Sequence, residues 1–259
     1  MRKHYISGGP AVELYDTRQM GTGVIRGDVE FYRRLARRTG GPILELGCGT
    51  GRVALPLARD GHEVVGLDLS MPMLRIARSK IEPGLRIRFV RGDMARFRLR
   101  RKFRLILIPF RAFQHLLTER EQRSCLRRVR SHLAPGGRFI LHLFDPLLEY
   151  CLPEPHPSRA DRSRTRNPAT GRDVEIRIRN RRNDPFAQRF SEEWIFIERD
   201  ARGRARRVDR DVLSLRWTYR WEMRYLLELT GFRIEACTGD FFGGAPRYGS
   251  EQIWIATPV

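Results

Sequence analysis

The chain has 259 residues, of which 41% are apolar, and a formal net charge of +20 at pH 7. That apolar content excludes wholesale disorder, and no apolar run reaches the roughly 20 residues that a membrane-spanning helix needs. "MRKHYISGGP" carries basic residues with no apolar stretch behind them, so no secretory leader is expected and a cytoplasmic protein with no membrane partner is.

A helix is predicted over "GDVEFYRRLARR" (27–38), where Val29, Tyr32, Leu35 and Ala36 recur at near-helical spacing before "TGGP" stops it. "ILEL" (43–46) is a short buried strand, "RVALPLARDG" a helix ended by Gly61, and "HEVVGLD" (62–68) a second buried strand. Ser70 is placed as an N-cap for the helix "MPMLRIARSKI" (71–81), with Pro72 near its start, where a missing N–H costs nothing. Strands follow in "LRIRFVRGD" (85–93) and "FRLILI" (103–108), then a helix in "TEREQRSCLRRVRSHL" (118–133) and a strand in "RFILHLF" (138–144) entered through the turn "APGG". Strands and helices alternating in this way, with near-continuous apolar strands, specify an α/β protein whose parallel sheet is covered on both faces.

The pattern then breaks. "LPEPHPSRADRSRTRNPATG" (152–171) reads as a loop, and "RDVEIRIRN" (172–180), "QRFSEEWIFIER" (188–199) and "RRVDRDVLSLRWTYR" (206–220) alternate polar with apolar residues, as antiparallel strands with one wet face do. A helix, "WEMRYLLELTG" (221–231), and two strands, "RIEACTGD" (233–240) and "SEQIWIAT" (250–257), return to the first architecture. The expected organisation is an N-terminal helical segment with the core over 1–151, an antiparallel insert over 152–220, and a return to the core over 221–259.

Charge and cysteines constrain the chemistry further. A field of this sign attracts RNA or anionic metabolites with an affinity that falls with salt. Lys3, Lys80 and Lys102 are the only lysines, however, and the arginines are spread over most of the chain, thickening in "RLRRKFR" (98–104), "SRADRSRTR" (158–166) and "RDARGRARR" (199–207). Compositional bias is the simpler reading. Cys48, Cys125, Cys151 and Cys237 lack the spacing of a zinc site, so no metal is expected.

The chemistry concentrates in "ELGCGTGR" (45–52), which follows the first sheet strand and opens a helix. In such sheets ligands sit beyond the carboxyl ends of the strands, where strand order reverses. Gly47 and Gly49 leave the main chain open to a ligand, and Gly51 lets the next helix pack closely. The spacing is not the G-x-G-x-x-G of a nicotinamide site, and the turn lacks the Gly-Lys-Ser/Thr ending of a phosphate-binding P-loop. Glu45 would repel a pyrophosphate and favour a cationic group. Asp68, about 20 residues beyond Gly47, is placed to accept the hydroxyl protons of a ribose. Asp93, after Gly92, is placed to accept from an adenine amine, with Met94 against the ring. Adenosine with a cationic amino-acid tail is S-adenosylmethionine.

The chain resembles the class I S-adenosylmethionine-dependent methyltransferases through "LELGCGTGR" (44–52), "VVGLDLS" (64–70), "FVRGDMARF" (89–97), "FRLILIPFRAFQHL" (103–116) and "LAPGGRFILHLF" (133–144). The resemblance implies a Rossmann-like sheet of seven strands, the last antiparallel, with an antiparallel β lid inserted before the last helix, as in small-molecule N- and O-methyltransferases. It implies that Glu45, Gly47, Cys48, Gly49 and Gly51 hold the methionine part, Asp68 and Leu69 the ribose side, and Gly92, Asp93 and Met94 the adenine, with Met73, Pro109 and the N-terminal Tyr15 as further contacts. Cys48 itself reads as a small filler and not a nucleophile.

Methyl transfer from a sulfonium requires alignment, exclusion of water and, for an alcohol, a base. His115 is the first candidate base and Asp145 the second, while His142, inside a strand, is expected to be packed. Phe110, Arg111 and Phe113 are expected pocket walls, with Trp217, Tyr219 and Arg220 reaching in from the lid. The turn "IPFRAF" lacks the Asn/Asp-Pro-Pro-Tyr clamp for adenine N6 or glutamine amides, and the cysteine of cytosine C5 chemistry is missing. Methyl transfer to an amine or hydroxyl of a small molecule, with an anionic group compatible with the charge, is the expectation. RNA methylation and noncatalytic binding of S-adenosylmethionine are the alternatives.

Overall fold

A computed structural model describes residues 2–21, 26–148 and 162–259. The chain opens with β1 (Arg2–Lys3), α1 (Pro10–Glu13), α2 (Tyr15–Gly21) and α3 (Asp28–Thr39). Then come β2 (Ile43–Leu46), α4 (Ala54–Arg59), β3 (Val64–Asp68), α5 (Met71–Ser79), β4 (Ile87–Arg91) and β5 (Phe103–Ile108). A 3-10 turn (Ala112–His115) leads to α6 (Glu119–His132) and β6 (Leu133–Phe144). After the insert strands β7 (Arg162–Arg166), β8 (Asp173–Asp184), β9 (Arg189–Arg199) and β10 (Ala205–Arg216), the chain ends with α7 (Arg220–Leu229), β11 (Phe232–Thr238) and β12 (Glu251–Pro258).

Two compact units result. The larger, from residues 26–147 and 216–259, holds a seven-stranded sheet in the order β11-β12-β6-β5-β2-β3-β4. Strands β2 to β6 run parallel, and β12 is antiparallel to β6 and β11. Alternate side chains leave a strand on opposite faces. Leu44, Leu46, Ile106 and Ile108 accordingly enter one apolar layer with Leu126 and Val129 of α6 and Met223 and Leu227 of α7. Ile43, Leu105 and Leu107 enter the other with Tyr32 and Leu35 of α3 and Leu74 and Ala77 of α5. Burial on both faces explains why these strands read as near-continuous apolar runs. Helix starts are chemically specified: the Ser70 hydroxyl accepts from Met73 N at 3.2 Å, and Thr118 and Glu121 form a reciprocal capping box at α6.

The smaller unit contains a five-stranded sheet, β1-β10-β9-β8-β7, in which β7, β8 and β9 are antiparallel and β1 joins β10 in parallel. Val174, Ile176, Trp194 and Phe196 of this sheet pack with Ala11 and Leu14. The N-terminal segment, expected with the core, thus groups with the insert because it supplies the apolar cover for one sheet face. A strand, β7, runs through the second half of the expected 152–171 loop, and β6 extends back through "APGG" with a register shift opposite Phe103 and Leu105. The first half of that loop, and Cys151, lie outside the described residues. Among the described residues no helix is long and apolar enough to cross a membrane.

Candidate cofactor and active site

Strand order reverses between β2 and β5, and the glycine turn leaves β2 at that point. Gly47, Gly49 and Gly51 all have positive φ, at 69°, 53° and 83°. Backbone N–H groups of Gly47 and Cys48 donate to the Leu67 carbonyl at 2.7 and 3.1 Å, tying the turn to β3. A Cβ on Gly47 would lie 2.6 Å from Ala112 Cβ, and one on Gly51 would lie 3.0 Å from both Leu55 and Phe89. Here glycine is required by backbone conformation and by space together. Gly51 packs the following helix, as its place in the sequence suggested.

Asp68 ends β3 and organises the rim. Its Oδ2 accepts from Gly49 N at 2.8 Å and its Oδ1 from Ser70 N at 2.7 Å. Burial pushes its carboxyl up, while the N–H groups of Ser70, Gly49 and Leu69 pull it down. Each carboxylate oxygen retains a further lone pair, so the side chain can grip ribose hydroxyls while holding the two loops together. Leu69 beside it is 47% exposed, an apolar surface open at the rim. Gly92 N donates to the Asp68 carbonyl at 2.9 Å, and a Cβ at Gly92 would meet Leu67 Cδ1 at 2.9 Å. Asp93 Oδ1 caps its own turn through Ala95 N at 2.8 Å, and its side chain stays partly exposed. Met94 Cε stands 3.3 Å from where a Gly47 Cβ would be. The expected adenine, ribose and methionine residues therefore line one edge of the sheet. The side chains of Met73 and Cys48 are both buried, and the Cys48 thiol is pushed well up by burial, as a filler's would be.

Beneath the turn lies a buried polar cluster that sequence reasoning only half found. Glu45 is 3% exposed and receives the Ala54 N–H, yet its Oε2 has no partner, and neither has the buried Tyr32 hydroxyl. Burial drives the Glu45 carboxyl up to about 8 against the opposing pull of Arg52 and the Ala54 N–H. Arg52 is committed to Asp28 through two hydrogen bonds of 3.0 and 2.5 Å. An unpaired carboxyl oxygen at the foot of a bare backbone turn fits the ammonium of S-adenosylmethionine.

On the acceptor side, Phe110 and Arg111 have left-handed φ of 49° and 64°, a conformation costing bulky residues about 1–2 kcal/mol each. His142, fully buried, holds them: its Nδ1 accepts from Phe110 N at 3.1 Å and its carbonyl from Arg111 N at 3.2 Å. The ring's Nε2–H donates to Glu251 Oε2 at 2.8 Å, and Arg111 pairs with the same carboxylate. The Arg52 guanidinium sits 5.2 Å over the Phe110 ring. Pro109, also buried, accepts from Ala112 N at 3.1 Å. His115 closes the 3-10 turn. Its side chain is exposed and open to an acceptor.

Several expected residues take other places. Phe113 is fully buried in the core and cannot wall a pocket. Asp145 accepts from Gln252 Nε2 at 2.9 Å and from Gly249 N at 3.1 Å, one bond on each carboxylate oxygen. Trp217, Tyr219 and Arg220 do not belong to the antiparallel sheet: Trp217 is fully buried, Tyr219 precedes α7 and Arg220 begins it. Tyr15 lies in the smaller unit, edge-on to Tyr5 at 5.5 Å. Gln114 went unnoticed in the sequence; its Oε1 accepts from Phe144 N at 3.1 Å and its buried amide nitrogen has no partner.

Fold and turn together define a doubly wound α/β protein built to hold a nucleoside with a cationic tail. Residues 43–137 match the family described as "Methyltransferase domain". A Geobacillus sp. (strain WCH70) protein named as a methyltransferase is 30% identical over 216 residues, covering 82% of each chain. Among solved structures, CalS10 from Micromonospora echinaspora, an amino pentose methyltransferase with S-adenosylmethionine bound, is 26% identical with a TM-score of 0.68, covering 95% of this chain and 97% of its own. The CcbJ methyltransferase of Streptomyces caelestis shares the fold, with a TM-score of 0.77 at 24% identity over 99% and 98% of the two chains. The chain belongs to the class I S-adenosylmethionine-dependent methyltransferases.

Proposed function

We propose that the enzyme methylates an amine on a small, sugar-sized acceptor. The reading rests first on His115, which stands exposed at the end of the 3-10 turn that follows Phe110 and Arg111. Its imidazole can accept a hydrogen bond from an amine N–H and orient the lone pair. The likeness to an amino pentose methyltransferase over nearly the whole chain supports the same acceptor class. When bound, S-adenosylmethionine supplies a methyl group already activated on sulfur. Gly47 and its neighbours bring backbone against it, Glu45 offers a carboxyl oxygen to its ammonium, Asp68 with Leu69 beside it holds the ribose, and Asp93 with Met94 the adenine. Asp28 and Arg52 brace the start of the helix behind the turn. His115 holds the neutral amine in line, and the proton left on the methylated nitrogen passes to solvent after transfer.

The test is incubation with labelled S-adenosylmethionine and a matched panel of amino sugars and their hydroxyl counterparts, free and nucleotide-linked, read by mass spectrometry. Gain of one methyl by amino compounds alone is the expected result. Transfer only to hydroxyl counterparts, or to RNA in a parallel incubation, refutes the amine assignment.

A further inference from the structure

The His142–Glu251 pair has no place in the chemistry above, yet the Phe110–Arg111 turn is built on it. Two successive bulky residues with left-handed φ need an external reason to stay so. His142 provides it with two separate atoms: ring Nδ1 takes the Phe110 N–H and the carbonyl takes the Arg111 N–H. The bond to Phe110 requires Nδ1 to be unprotonated, and Glu251, by accepting from Nε2–H, selects that tautomer. Glu251 also binds the Arg111 side chain, so one carboxylate restrains both the histidine and the turn the histidine holds. The histidine lies on β6 and the glutamate at the start of β12, which the sheet places side by side. Beyond the turn, Ala112 is the residue whose Cβ closes on Gly47, and His115 follows three positions later.

We propose that His142 and Glu251 are positioning residues that act through the Phe110–Arg111 turn, setting where Ala112 meets the cofactor turn at Gly47 and where His115 stands. The part concerning His115 rests on the function proposed above; the part concerning Gly47 does not.

Two substitutions separate the atoms of the ring. His142→Asn keeps an acceptor at the Nδ1 position and loses the donor to Glu251, whereas His142→Gln keeps a donor at the Nε2 position and removes the acceptor of the half-buried Phe110 N–H. By calorimetry, H142Q should bind S-adenosylmethionine about tenfold more weakly than the wild type, the consequence of a turn that has lost the acceptor of its half-buried Phe110 N–H, and H142N within about threefold of it. Wild-type affinity in H142Q, or an equal loss in both variants, overturns the proposal. Should H142Q fail to fold, hydrogen exchange on the wild-type chain decides: the amides of Phe110 and Arg111 should gain protection when S-adenosylmethionine binds, and unchanged protection refutes the coupling. A wild-type chain that takes up no S-adenosylmethionine would instead remove the cofactor site itself. Cofactor bound normally with the amino sugar panel left unmethylated would remove only the role given to His115.

Discussion

Glu45 sits where a carboxylate is useful to a bound ammonium and costly without one. Its carboxyl titrates near 8 in the folded chain against an ordinary 4.5, because burial outweighs the help from Arg52 and the Ala54 N–H. Between those two values the unfolded chain has lost the proton and the folded chain still keeps it. Folding stability of the cofactor-free protein therefore falls as pH rises from about 4.5 towards 8, and levels off above. Glu45→Gln should remove that part of the pH dependence. Its melting temperature relative to the wild type should climb from pH 5 to pH 8, and a flat difference measured by scanning calorimetry would contradict the burial argument. The same variant should bind S-adenosylmethionine more weakly, since it gives up a charged partner for the ammonium. The sequence showed that a carboxylate stood inside the turn. It could not show that the Tyr32 hydroxyl, from helix α3, would be buried and also lack a partner.

At the scale of elements, most of the large unit was legible because local rules agree with the fold. Strand β5 was expected at its observed bounds, since its residues are buried on both faces and read as one apolar run. Helix α6 carries its own start signal, and Thr118→Ala should cost about 1 kcal/mol, measurable as a lowered denaturant midpoint with an unchanged slope; no shift would show that tertiary packing alone sets the helix start. Strand β7 was not legible. Its residues "RSRTR" contain no apolar side chain, and it is defined by pairing to β8 in a register from Arg162 against Arg177 to Arg166 against Asp173. Backbone pairing of that kind leaves no periodicity to read. The same holds for β1, two residues attached to β10.

Over the whole molecule, local ion pairs such as Arg33 with Asp60, Arg101 with Glu63 and Arg199 with Glu175 use acids already counted, so the +20 excess of basic residues remains. Exposed pairs of this type contribute little individually, so the long-range repulsion of the excess arginines should dominate the response to salt. Raising ionic strength from near zero to about 0.15 M, where charges are screened beyond about 8 Å, should raise the melting temperature. A fall would mean that the ion pairs outweigh the repulsion.

What the sequence determined by itself was the class of fold and the cofactor turn, because both depend on short-range chemistry: alternation of apolar runs, glycines in left-handed conformations, and an aspartate at a strand end. What only tertiary structure decided was which distant residues meet. Phe113 went to the core and not to a pocket wall, the N-terminal segment joined the insert, and His142 found Glu251 more than 100 residues away. Those outcomes are set by sheet order and packing, which bring together side chains that no local spacing relates.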